Sequence, residues 1–203
     1  MTLDELEKQV SKPEGLEDLS DNLVFGEGDP DAKLVIVGEA PGADEDEQRR
    51  PFVGRSGQLL DRILDSVGLH RDDIYVTNIV KYRPPGNRNP TPQEITLSEP
   101  LLLEQMQIIQ PQVIATLGNV PSQYFIQSKD GITKTHGNWY EWHGVKVFPL
   151  YHPAYLLRNP SREKGSPKWQ MWQDMKELKN VLDEMGPKEG NLVIDTAQQE
   201  GLF

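Results

Sequence analysis

Leu34-Val35-Ile36-Val37-Gly38-Glu39-Ala40-Pro41-Gly42 sets the architecture of this chain. An apolar, largely β-branched run that ends in Gly-x-x-Pro-Gly reads as a buried parallel strand whose carboxyl end opens into a loop of exposed backbone, where open α/β sheets bind ligands. Three further runs have the same character: Ile74 to Val80, Gln112 to Leu117 and Val145 to Tyr151. Between and after them the apolar spacing turns helical, over Gly57 to Val67, Pro92 to Ile109, Val120 to Gln127 and Pro167 to Met185. Thr91 with Glu94 three residues on marks the start of the second of these helices. Alternating strands and helices predict an α/β fold, a three-layer αβα sandwich around a central four-stranded parallel sheet. Carboxyl ends of parallel strands then bring Glu39, Asn78 and His152 to one edge.

The 203 residues suit a single domain over residues 1–186, with about 25 peripheral residues at the start and a flexible tail over residues 187–203. Leu3, Leu6 and Val10 suggest a short helix in the peripheral part. No apolar run reaches the roughly 20 residues that cross a bilayer, and the first residues lack a signal-peptide pattern, so a soluble, cytoplasmic monomer is expected. Cysteine is absent, which excludes disulfides, thiolate nucleophiles and cysteine-ligated clusters. The net charge of −11 argues against a nucleic-acid partner, but the distribution softens this. Ten Lys/Arg and six Asp/Glu between Lys81 and Lys168 give that stretch +4, against −15 for the remainder.

Four ordered blocks carry a resemblance. They are Gly38-Glu39-Ala40-Pro41-Gly42, Pro51-Phe52-Val53-Gly54-Arg55-Ser56-Gly57, Asn78-Ile79-Val80-Lys81 with Arg83-Pro84-Pro85-Gly86-Asn87-Arg88, and His152-Pro153-Ala154-Tyr155-Leu156-Leu157-Arg158-Asn159-Pro160. In order and over roughly residues 24 to 182, the chain resembles the family 4 uracil-DNA glycosylases. The resemblance implies hydrolysis of the N-glycosidic bond of a flipped-out deoxyuridine, leaving an abasic site in base excision repair. Members usually hold a four-cysteine iron–sulfur cluster. Here two of the cysteine positions correspond to Tyr82 and Ser98 and the N-terminal pair is missing, so no such cofactor is expected, and apolar side chains should fill the space.

Phe52 offers a face for the flipped base, or is a simple core residue. The Asn78 carboxamide suits uracil N3–H and O4 and opposes cytosine, or caps its loop. The resemblance implies that Gly38, Ala40, Pro41 and Gly42 line the base. His152 is the candidate donor to uracil O2, stabilising the departing uracilate. In family 1 glycosylases an Asp orients the water where this chain has Ala40, so Glu39 is the first choice for that role. Glu45 is the second, or it closes over uracil C5 against thymine's methyl group. The acidic run Asp44 to Glu47 otherwise reads as a solvated loop. Arg83, Arg88 and Arg158 are candidate phosphate contacts, and Leu156 or Leu157 a wedge for the vacated stack, or core. The remaining histidines, His70, His136 and His143, match no block. Gln199, Leu202 and Phe203 resemble the terminal peptide that docks on a bacterial sliding clamp. A glycosylase-fold protein that binds uracil or DNA without cutting is the alternative; a small-nucleotide hydrolase is disfavoured by the lack of a P-loop signature.

Overall fold

The computed structural model describes residues 1–188 together with Leu192 and Ile194. Its centre is a sheet of order β1-β3-β2-β4-β6-β5. The strands are β1 (Glu27–Gly28), β2 (Leu34–Gly38), β3 (Tyr75–Asn78), β4 (Val113–Leu117), β5 (Tyr140–Trp142) and β6 (Val145–Leu150). The four expected strands are present and mutually parallel, β3-β2-β4-β6. The expected four-stranded sheet is nonetheless too small, because β1 and β5 add antiparallel edges. Two and three residues are too few to register as alternation. β5 turns into β6 through His143 and Gly144, both at positive φ (48° and 80°), the backbone of a two-residue hairpin turn without its usual Asn-Gly signature.

Every residue of β2 and β4 is buried, because helices cover both faces. Val35 and Val37 face α4 (Pro92–Ile109) and α5 (Asn119–Ile126), where Leu102, Met106 and Phe125 lie, whereas Leu34 and Ile36 face α3 (Arg55–Asp65) and α8 (Pro167–Glu184), with Leu60, Leu64, Met171 and Met175. That period-two division makes the three layers. α4 starts as its sequence predicts, with Thr91 and Glu94 forming a reciprocal capping box.

Three helices escaped the apolar pattern. α2 (Ala43–Gln48) is the acidic run expected as a loop, and α6 (Ile132–Thr135) and α7 (Pro153–Arg158) are single short turns. At the amino end, α1 (Leu3–Gln9) and the following loop bury Leu3, Leu6, Leu16 and Leu19 in the α4-side core. The backbone from Ser20 to Val24 donates to the carbonyls of Arg83 and Lys81. This segment is therefore integrated with the chain after β3. Beyond Gly186, Leu192 and Ile194 pack into the same core, and Leu192 exchanges two hydrogen bonds with Gln110.

Candidate active site

β2 and β4 are neighbours, yet the chain leaves β2 toward β3 on one side and reaches β4 on the other. The carboxyl ends diverge at this switch point and leave a crevice. A cavity of about 800 Å³ opens there. Of the sequence-predicted residues, Glu39, Ala40, Pro41, Gly42, Glu45, Phe52, Asn78, Arg88, His152 and Arg158 line it.

Gly38 pairs with Asn78 across the parallel ladder and is the hinge of the pocket wall. A Cβ at Gly38 would overlap the Asn78 side-chain oxygen and come within 2.5 Å of the Phe52 ring, so only glycine lets ring and amide meet there. The amide of Asn78 makes no hydrogen bond with any described residue, although the residue is only 2% exposed. A buried amide with open donors and an open acceptor awaits a partner. The strand-end cap weighed for Asn78 is not formed.

Phe52 is 6% exposed and adopts φ 53°, a left-handed conformation unusual for an aromatic residue. Three groups hold the turn. Arg71 donates to the carbonyl oxygens of Phe52 and Pro51 and pairs with Asp61 at 3.0 Å. Glu45 accepts from the amides of Val53 (3.0 Å) and Gly54 (2.8 Å), and its other oxygen accepts from Gly42 (3.1 Å). Gly57 supplies the space, since any side chain there would strike the Phe52 carbonyl. The Glu45 carboxylate thus joins the Gly38 to Gly42 loop to the Phe52 turn, and neither Arg71 nor this use of Glu45 was readable from one-dimensional spacing.

His152 follows β6 and caps α7. Its Nδ1 accepts from the Ala154 amide at 3.1 Å, so the neutral ring carries its proton on Nε2. Burial, with the nearby Arg158 charge, lowers its pKa to about 4. The imidazole is therefore an uncharged donor at neutral pH. Its ring lies 6.0 Å from that of Phe52, centroid to centroid, and Gly118 gives it room. Glu39 is half-buried, its carboxylate makes no hydrogen bond among the described residues, and burial raises its pKa.

The cations divide. Arg88 is bidentate to Glu94 at 2.6 and 2.8 Å, and Arg83 holds Asn87 at 2.7 Å with Asp46 nearby; Arg83 is not on the cavity. Arg158 and Arg55, the latter missed in the sequence, are exposed on the cavity wall and make no ion pair among the described residues. Leu156 is 1% exposed and packs into the α3/α8 core, so it is no wedge, while Leu157 is partly exposed. Tyr155 lines the cavity instead, stacked on Tyr151 at 5.4 Å. Gln199, Leu202 and Phe203 lie outside the described residues.

The residues at the expected cluster positions do not fit an iron–sulfur group. Tyr82 and Ser98 are buried, the Ser98 hydroxyl lacks a hydrogen-bond partner, and there is no thiolate in the chain. Lys12 lies over the Tyr82 ring, 5.7 Å from its centroid, and Tyr82, Leu16 and Leu19 join the α4-side core there. Among the described residues no group of three His, Asp or Glu could hold a metal ion.

Residues 25–176 match the family model described as Uracil DNA glycosylase superfamily. The chain is 49% identical over 144 residues to a type-4 uracil-DNA glycosylase of Thermotoga maritima, covering 70% of this chain and 75% of the relative. A Sulfurisphaera tokodaii protein of the same name is 47% identical over 70% of this chain and 69% of its own length, and one from Saccharolobus solfataricus 40% identical over 79% and 76%. By this family model and these relatives, the chain belongs to the uracil DNA glycosylase superfamily and, within it, to the type-4 uracil-DNA glycosylases.

Proposed function

We propose that this chain hydrolyses the N-glycosidic bond of deoxyuridine in DNA, releasing uracil and leaving an abasic site for base excision repair. The observation that carries the reading is the unpartnered, nearly buried Asn78 amide, facing a cavity it shares with Phe52, His152 and Glu39. A flipped pyrimidine stacks on Phe52, and its N3–H and O4 complete the hydrogen bonding of Asn78. Cytosine presents the reverse pattern at those atoms and leaves both partners unpaired. As the bond from C1′ to N1 breaks, charge gathers on the base, and Nε2–H of His152 donates to O2 of the leaving uracilate. Glu39 orients the water whose oxygen bonds C1′ and receives its proton. Glu45 acts as a positioning residue, since its oxygens face three backbone amides. The loop from Gly38 to Gly42 shapes the edge against the ring.

Arg158 and Arg55 contact phosphates flanking the flipped nucleotide, with Arg88 and Arg83 available only by leaving their acidic partners. Leu157 or Tyr155 fills the vacated stack. The reaction needs no cofactor, and the protein acts as a cytoplasmic monomer, with Gln199, Leu202 and Phe203 as a clamp-docking peptide. The test is an excision assay on oligonucleotides carrying uracil, thymine, hypoxanthine or xanthine opposite each base. Abasic sites at uracil are expected; pure protein that binds uracil-DNA but yields none would favour the non-cutting alternative and overturn the proposal.

A further inference from the structure

Lys81 is among the largest fully buried side chains of the described residues, with no exposed surface. Its Nζ donates to three oxygens: the Asn78 carbonyl at 2.5 Å, Thr77 Oγ1 at 2.6 Å and Gln105 Oε1 at 2.6 Å. None is a carboxylate, so the amine is buried with neutral acceptors alone, and desolvation pushes its pKa well below the usual lysine value. Burying an amine this way costs free energy that ordinary core packing would not, so its contacts should do something packing cannot.

Those contacts form one network. Gln105 reaches from α4 and donates to the Phe25 carbonyl at 2.9 Å and the Tyr75 hydroxyl at 3.2 Å, while Thr77 donates to the Phe25 carbonyl at 2.8 Å. The network ties β3, α4 and the segment entering β1 to one nitrogen. Side chains alternate along β3: Tyr75 belongs to the α4-side core, Val76 to the opposite core, and Thr77 bonds with the α4-side groups. Asn78 accordingly meets Phe52 across Gly38 on the far face. Lys81 therefore lies behind the strand, away from the cavity, where it cannot attack a sugar carbon.

Among the described residues, the only side-chain hydrogen bond to Asn78 is this one from Lys81. The Asn78 amide has none of its own, so the direction in which it meets a base is set through its backbone: the ladder beside Gly38 on one side and the Lys81 ammonium or amine on the other. We infer that Lys81 is a positioning residue for uracil recognition, locking the end of β3 so that the Asn78 amide is aligned before the base arrives. This rests on the uracil-excision reading above and extends it to a residue that never touches substrate. A displacement of about 1 Å in such a group is enough to cost about 100-fold in rate.

The test is a cycle built on Lys81→Met and Asn78→Ala, read by single-turnover excision, inhibition by free uracil and DNA affinity. Lys81→Met should lower excision by about 10- to 100-fold and weaken inhibition by free uracil in parallel, with DNA affinity within about twofold of the parent. In the Asn78→Ala background it should add nothing, because the group it aligns is gone. Thr77→Val, nearly isosteric and removing only one oxygen of the network, should show the same pattern at smaller amplitude, which keeps the inference testable should Lys81→Met fail to fold. The absence of cysteine permits a rescue: Lys81→Cys, alkylated while unfolded with 2-bromoethylamine and refolded, regains an amine of lysine length at that position alone. Recovery of excision supports positioning by Nζ. Additive losses in the two backgrounds, or unchanged uracil inhibition in folded Lys81→Met or Thr77→Val, would overturn it. A parent protein inactive on uracil would instead sink the underlying function, so the two failures are distinguishable.

Discussion

At the scale of the residue, the protonation states of two groups set the pH behaviour. As the proposed base, Glu39 must be ionised to take a proton from water, and burial raises its pKa above the ordinary carboxylate value, so excision should be lost as pH falls through that raised pKa. His152 has a folded pKa of about 4, far below neutrality, so it stays an uncharged donor across the working range and contributes no limb between pH 5 and 8. Glu39→Gln should cut the single-turnover rate by about 100-fold and erase the acid limb above the His152 titration. Arg158→Gln, which removes a charge that depresses the His152 pKa, should move that titration upward, as read by NMR of the ring. An acid limb that survives Glu39→Gln unchanged would show that another group orients the water. The types of these side chains were legible because each sits in a short block after a strand. What spacing did not convey was occupancy: Glu45 reads like Glu39 in sequence, yet its oxygens are taken by three amides from two loops.

At the scale of the element, the strands were legible where five apolar residues run together, as in β2 and β4, because burial on both faces removes any polar alternation. The helix of α4 announced itself through Thr91 and Glu94. α2 did not, since its ADEDEQ sequence has no apolar face; it is held by Glu45 bonding backward to Gly42 and forward to the Phe52 turn. That turn carries the ring proposed to stack on the base, and its left-handed Phe52 is held from Arg71, nineteen residues on. Arg71→Ala should leave two backbone carbonyls without their donor and lower stability by about 1–3 kcal/mol in denaturant melts. Excision should fall further than the melt explains, because Phe52 loses its fixed orientation. Parental rates in fully folded Arg71→Ala would show that Gly57 and Glu45 suffice to fix the ring.

At the scale of the whole molecule, charge and function pull against each other. The chain carries −11 overall, and of the arginines on the cavity wall only Arg55 and Arg158 lack an acidic partner among the described residues. The two phosphate contacts proposed for them should give a shallow salt dependence, with a log–log slope of DNA affinity of about −2. A slope near −4 would mean that Arg83 and Arg88 abandon Asp46 and Glu94 on binding. Apolar burial also secures the chain after β3. Leu16 and Leu19 close over the chain after β3, and each buried leucine contributes about 1.5–3 kcal/mol.

His152 is both the proposed donor to the base and the cap of a six-residue helix. Fraying that one turn removes the Ala154 amide that pins Nδ1 as the acceptor, and the ring loses the fixed direction of its Nε2–H. Excision should therefore fall reversibly on warming before the core melts, as read by activity and near-UV dichroism scans run in parallel; coincident transitions would show that the cap lasts as long as the fold.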